Sequence, residues 1–321
     1  MKKLNFIIKY GLALLLLSFY SCESWLNVTP SDRLSEEMLF NDREGFVKAL
    51  NGVYIELNTN ELYGRNLTAG ALDVMGQYYS VASSSHAFYN YGGLVYTGND
   101  EKALFDNMWQ KCYAVIACCN TIIEKCDENK AGLSPVWKGS IKGEALALRA
   151  MLHFDMLRLF GPLTSELDKE SIPYQTNSDQ TVTPLLSGSE VIGLILDDLK
   201  NAVGLLKDTD PYFVEEEFSD TDLNYRRFRM NYFAAKGLMA RVQLWGGDKE
   251  KAAITAKEVI AEGQAEGAEF FPFVTNSEAT SSNPDRVFYS EVLFGTYHSS
   301  REKLHEDLFA PTLESTSILT L

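Results

Sequence analysis

The apolar positions of this chain recur mostly at helical spacing. Leu39, Phe46, Leu50, Val53 and Leu57 predict a helix over 35–58, with Ser35 as its N-cap and Glu36 and Glu37 in the first turn. Leu104, Met108, Tyr113, Ile116, Ile122 and Ile123 predict a second over 100–127. A third spans 134–160: Pro135 suits its first turn, and Gly161-Pro162 stops it. Residues 144–160 are apolar nearly all round, so that helix is expected to be buried on several sides. A fourth helix covers 189–207 and a fifth 230–245, which ends at Gly246-Gly247. A sixth covers 248–263, with Asp248 as its cap. The run 287–294, Val-Phe-Tyr-Ser-Glu-Val-Leu-Phe, is strand-like. Between these lie a glycine-rich stretch of about 40 residues after the first helix, a polar connection over 163–187 with Pro173 and Pro184, and an acidic loop over 208–228.

Residues 234–259 have the layout of a tetratricopeptide pair. Small residues let two helices approach, a tight glycine turn joins them, and alanines begin the second. The helix at 141–160 has a similar first-helix pattern. Such hairpins bury their faces only against neighbours, so several are expected. The fold class is therefore mostly α, with tetratricopeptide-like helical hairpins, long irregular loops and little strand.

The N-terminus differs in kind. Met1-Lys2-Lys3 is basic, and residues 11–20 are an apolar run too short for the roughly 20 residues that span a bilayer. Residues 1–21 form a secretory signal peptide, and Ser21 before Cys22 is the pattern of a lipoprotein whose cysteine is acylated after cleavage. Acyl chains hold a protein on a membrane, not in it, since each buried methylene contributes ~0.8 kcal/mol. Cys112, Cys119 and Cys126 share a helix face, but a seven-residue step is ~10 Å, beyond disulfide reach. With Cys118 they read as small buried side chains; no CxxC pair or nearby His marks a metal site. The formal charge of −15 repels phosphate backbones and argues against a nucleic-acid partner.

The ordered set of short motifs resembles the SusD/RagB family of outer-membrane nutrient-binding lipoproteins. Its pieces are Cys22 with residues 26–30 (Leu-Asn-Val-Thr-Pro), Ser35-Glu36-Glu37 with Phe40, and Asn51-Gly52-Val53-Tyr54. Asn120-Thr-Ile-Ile-Glu124, the stretch 143–162 and Ile172-Pro173-Tyr174 follow, and the pair at 234–259 completes the match. The resemblance implies a helical scaffold whose irregular loops form the binding face. It implies glycan ligands and a partner, a TonB-dependent (SusC-like) outer-membrane transporter, with membrane attachment through the lipid alone. It divides the chain into the signal 1–21, an N-terminal helical domain 22–230, and 231–321, the tetratricopeptide-like pair with the start of a C-terminal region. Family chains continue well past this length, so a shortened ligand face is also expected.

Candidate ligand contacts concentrate in the glycine-rich stretch. Tyr63, Tyr78, Tyr79, Phe88, Tyr89, Tyr91 and Tyr96 lie there. A sugar ring offers an apolar C–H face that an aromatic ring covers, while polar neighbours meet its hydroxyls. The glycan-binding candidates are Tyr78, Tyr79, Phe88, Tyr89 and Tyr91, with Asp73 and Asn90. The alternative is that these rings pack the loop onto the helices.

Other signals carry less. His298, Glu302 and His305 would share a helix face and reach a metal, or else mark a solvated helix end. His153 reads as a satisfied core histidine, with Arg158 paired to Asp155. Asp208-Thr-Asp210 and Asp220-Thr-Asp222 lack the Gly and Glu of a calcium loop. No GxSxG, HExxH or phosphate loop is present, so no cofactor and no catalytic residue is assigned. A binder is the leading reading; a tetratricopeptide interaction scaffold or truncated remnant is the alternative, and a glycoside hydrolase a more distant one.

Overall fold

The computed structural model describes residues 36–321 apart from residue 180 and residues 266–267, and the backbone alone at 268–269. The expected signal peptide over 1–21, the expected anchor Cys22 and the expected Ser35 cap lie outside the described residues. The helices are α1 (Glu36–Leu39), α2 (Arg43–Leu57), α3 (Ala71–Met75), α4 (Tyr89–Gly92), α5 (Asn99–Glu128) and α6 (Pro135–Phe160), then α7 (Gly188–Thr209), α8 (Asp220–Asn224), α9 (Tyr232–Trp245), α10 (Lys249–Gly263), α11 (Asn276–Ala279) and α12 (Arg301–Leu308). Strands β1 (Glu170–Pro173) and β2 (Leu185–Ser187) pair antiparallel, as do the short β3 (Gln264–Ala265) and β4 (Ala268–Glu269). The fold is mostly α, as the periodicity predicts.

The expected first helix is two helices. Asp42 restarts it: its side chain accepts the Gly45 N–H at 2.8 Å. Phe40 folds back onto Phe46, ring centroids 4.8 Å apart, and both are buried. The other caps follow the sequence. Ser134 caps α6 from before Pro135, Asn231 caps α9, and Asp248 caps α10. Ser187 and Glu190 close a reciprocal capping box on α7.

Helix α6 is central. It packs against α5 on one side and α7 on another, with α2 across it. Its buried residues run round most of its circumference, from Gly139 to Leu157. Close approach to α7 depends on Gly143, where a Cβ would sit 2.7 Å from Leu206 Cγ. Helices α9 and α10 form the expected hairpin, joined through Gly247 at φ 87°, and α9 continues the stack onto α7. The paired helices α6–α7 and α9–α10 bury a single large core that α2 and α5 complete. No helix among the described residues is long and apolar enough to cross a membrane.

Two further expectations fail for identifiable reasons. The run 287–294 is no strand. The Asp285 carboxylate accepts the N–H groups of Val287 (3.0 Å) and Tyr289 (2.7 Å), which curls the chain into a 3₁₀ turn after a left-handed Phe288. The acidic stretch 208–228 is no simple solvated loop. Asp210 and Arg226 are buried, and Arg226 donates to both Asp210 oxygens (2.9 and 2.7 Å) and to Glu144. The Asp210 carboxylate is therefore spent on an internal cation. Asp222 closes the capping box of α8 with Ser219.

Candidate functional site

Residues 71–96 fold as two short helices, α3 and α4, joined by irregular chain. Two non-glycine residues in this segment take left-handed backbone, Gln77 at φ 61° and Leu94 at φ 55°. Such conformations carry strain that the surroundings must hold in place. The Gln77 amide donates to the Gly92 carbonyl (3.0 Å), tying the turn that carries Tyr78 to the helix that carries Tyr89. The Asp73 carbonyl accepts the Tyr78 N–H at 2.9 Å. Tyr78 is 71% exposed and Tyr89 44% exposed, so this pinned segment presents two phenol rings to solvent. Leu94 and Val95 in the same segment are also exposed.

The other candidate rings behave differently. Phe88 and Tyr91 are turned inward, contrary to expectation for a glycine-rich segment. They form a second small core with Ala71, Val74, Leu308 and Leu319, so the distant C-terminal residues supply the apolar surface that draws them in. Burial, with Glu101 and Asp100 nearby, pushes the Tyr91 hydroxyl up to about 12. Tyr79 is half-buried against Phe309, centroids 5.1 Å apart. Tyr63 donates to Asp155 (2.7 Å), and Tyr96 packs edge-on to Phe105. Asp73 is half-buried, and desolvation raises its carboxyl. The Asn90 amide donates to Glu101 (2.8 Å), leaving its carbonyl oxygen for other partners.

A groove of about 580 Å³ runs beside this segment, between Tyr63 and Leu72 on one wall, α6 and α9 on its floor, and residues 292–296 on the other wall. Sequence reasoning also missed an exposed aromatic group around Phe228: Tyr225, Tyr289 and Tyr297, with centroids 5.6–6.3 Å from that ring. The density of Tyr and Phe over 225–228 and 287–297 was its only trace in the sequence.

The signals set aside resolve as structure. His298 lies before α12 and bonds the Gly64 carbonyl at 3.0 Å, so it does not share a helix with His305. No group of three metal-ligating side chains occurs among the described residues. Cys112, Cys119 and Cys126 are buried thiols, which burial raises, and Cys118 is exposed. His153 is buried, accepts the Gln175 N–H at Nε2 (3.0 Å) and lies 2.9 Å from the Arg149 carbonyl at Nδ1.

A family model described as starch-binding associating with outer membrane, SusD-like_3, matches residues 24–244. SusD-like protein P2 of Formosa agariphila is 26% identical over 265 residues, which cover 80% of this chain and 46% of that protein. A SusD-like protein of Bacteroides ovatus is 30% identical over 146 residues, 44% of this chain and 23% of that one. Among solved structures, a SusD-like carbohydrate binding protein from Bacteroides vulgatus matches with a TM-score of 0.59 at 24% identity, over 74% of this chain and 47% of that one. A SusD superfamily protein from Bacteroides thetaiotaomicron matches with a TM-score of 0.59 at 19% identity, over 87% of this chain and 60% of that one. At these identities the structural likeness is one of fold. The chain spans about half the length of the curated relatives it matches. With more than half its residues matched by one family model, and its helical stack shared with solved members, this chain belongs to the SusD-like family.

Proposed function

We propose that this protein is a cell-surface glycan-binding lipoprotein that hands its ligand to a TonB-dependent outer-membrane transporter without cleaving it. Export through residues 1–21 and acylation of Cys22 hold it on the outer membrane, facing the exterior. The family's description as starch-binding supports the ligand class. The observation that carries the reading is the pair Tyr78 and Tyr89, exposed on a backbone pinned by the Gln77–Gly92 bond and flanked by left-handed Gln77 and Leu94. A strained, well-held loop that shows aromatic rings to water is suited to covering the apolar face of a sugar.

Affinity electrophoresis of residues 23–321 in gels containing plant, host and microbial polysaccharides tests this reading. One polysaccharide should retard the protein and be recovered at its original length. Tyr78→Ala with Tyr89→Ala should weaken that retardation at least tenfold while the melting curve stays put. A folded protein that no polysaccharide retards, yet that captures the transporter, would instead support an interaction scaffold, for which the α6–α7 and α9–α10 hairpins are the physical basis.

A further inference from the structure

In a chain with 44 acidic and 29 basic residues, a cavity whose charged walls are all basic is unexpected. One lies where the end of α6 meets the α9–α10 turn. It measures about 560 Å³ and is lined by Arg158, Arg241 and Lys249, with Phe154, Trp245 and Thr164 among its other walls. No Asp or Glu lines it. Arg158 is ion-paired to Asp155 at 3.0 Å, and its guanidinium lies 5.6 Å from the centroids of both Phe154 and Trp245. The two rings thus hold one cation in place. Arg241 and Lys249 have no ion-pair partner among the described residues; the adjacent Asp248 is taken by Lys251 at 2.7 Å. The Trp245 indole N–H is buried and finds no acceptor among the described residues.

We infer that this cavity is a subsite for an anionic sugar, a uronate or sulfated residue of the bound glycan. Arg241 and Lys249 neutralise the carboxylate or sulfate, Arg158 reinforces them, and Trp245 supplies an aromatic wall. The inference rests on the glycan-binding reading above and adds the chemical class. The groove beside the Tyr78 segment shares Arg158 and Arg241 with this cavity, so the two form one continuous surface. Long-range attraction cannot account for anion binding here, because the net charge of −15 repels polyanions. Any preference for an anionic glycan must come from a local site.

The test is affinity electrophoresis of residues 23–321 in gels containing polygalacturonate, dextran sulfate or neutral dextran. Stronger retardation by polygalacturonate or by dextran sulfate than by dextran is expected, and the two arms distinguish carboxylate from sulfate. Arg241→Gln with Lys249→Gln removes two exposed charges and should leave the melt unchanged. Each should weaken binding about tenfold, ~1.4 kcal/mol per tenfold. Unchanged affinity in the double variant overturns the subsite. Retardation by neutral polysaccharide alone, abolished by Tyr78→Ala with Tyr89→Ala, overturns the subsite and leaves the glycan reading standing. No retardation in any gel overturns both.

Discussion

Arg226 carries a full charge into the interior and meets two carboxylates there, Asp210 and Glu144. Burial alone would raise the Glu144 carboxyl, but Arg226 and Arg229 beside it hold it below the usual carboxylate range. Tyr54 donates to the same carboxylate at 2.7 Å, and Asp210 also accepts the Tyr232 N–H at 2.8 Å. Removing the cation leaves the buried Asp210 uncompensated and Glu144 with Arg229 alone. Arg226→Met should therefore cost about 3–5 kcal/mol in urea unfolding, well above a surface substitution. His153 makes the complementary case. Burial lowers its imidazole from the ordinary 6.5 to about 3. The reason is visible in its bonds: Nε2 accepts from Gln175, so a proton there would destroy the contact. Between those two values the unfolded chain binds a proton that the folded chain does not. Stability is thus full above about pH 6.5 and falls as the pH drops, by up to ~1.4 kcal/mol per pH unit from this group. Urea midpoints between pH 6.5 and 5 should fall less steeply for His153→Gln than for the parent; equal slopes would contradict this assignment.

Helix α6 and its partner α7 show how the same residue type serves opposite ends. Gly143 is buried, and its missing Cβ is the space that Leu206 occupies. Gly143→Val should destabilise by about 1–3 kcal/mol through overpacking. Gly204, on α7, has no atom within 4 Å of where a Cβ would stand. Gly204→Ala should stabilise by roughly 0.5–1 kcal/mol, because only the backbone entropy of glycine is removed. Opposite shifts in melting temperature for the two variants would verify the packing of this hairpin; shifts of the same sign would not fit it.

Across the whole molecule, the segment 71–96 is held from far away in the chain. Leu308 and Leu319 close the small core over Phe88 and Tyr91, and Ser80 pairs with Thr320 as an isolated antiparallel bridge. The exposed Tyr78 and Tyr89 thus sit on a platform whose underside is built by the C-terminal residues. Leu308→Ala should speed amide exchange over 71–96 while leaving α6 and α7 protected, because the large core does not include Leu308. Uniform exchange throughout would show that the two clusters unfold as one.

What the sequence by itself determined was local. Capping residues, proline at a first turn, glycine at a stop and 3.6-residue periodicity act within a few residues, so α5, α6, α7, α9 and α10 were legible within one or two positions. The exceptions within the helices were also local but subtler: Asp42 restarts a helix inside an unbroken apolar pattern, and Asp285 turns a run that its composition would extend. The tertiary structure alone decided what depends on contacts between distant residues. Tyr89 and Tyr91 are two positions apart and chemically alike, yet one is exposed and the other buried, because the small core that Leu308 and Leu319 help to build takes in only one of them. Arg226 in an acidic loop became a buried cation because Glu144, 82 residues away, came to meet it. Arg158, Arg241 and Lys249 lie on three different helices, and only the packing of those helices makes them one cavity. Periodicity reports which face of an element is apolar; it holds no record of which faces meet.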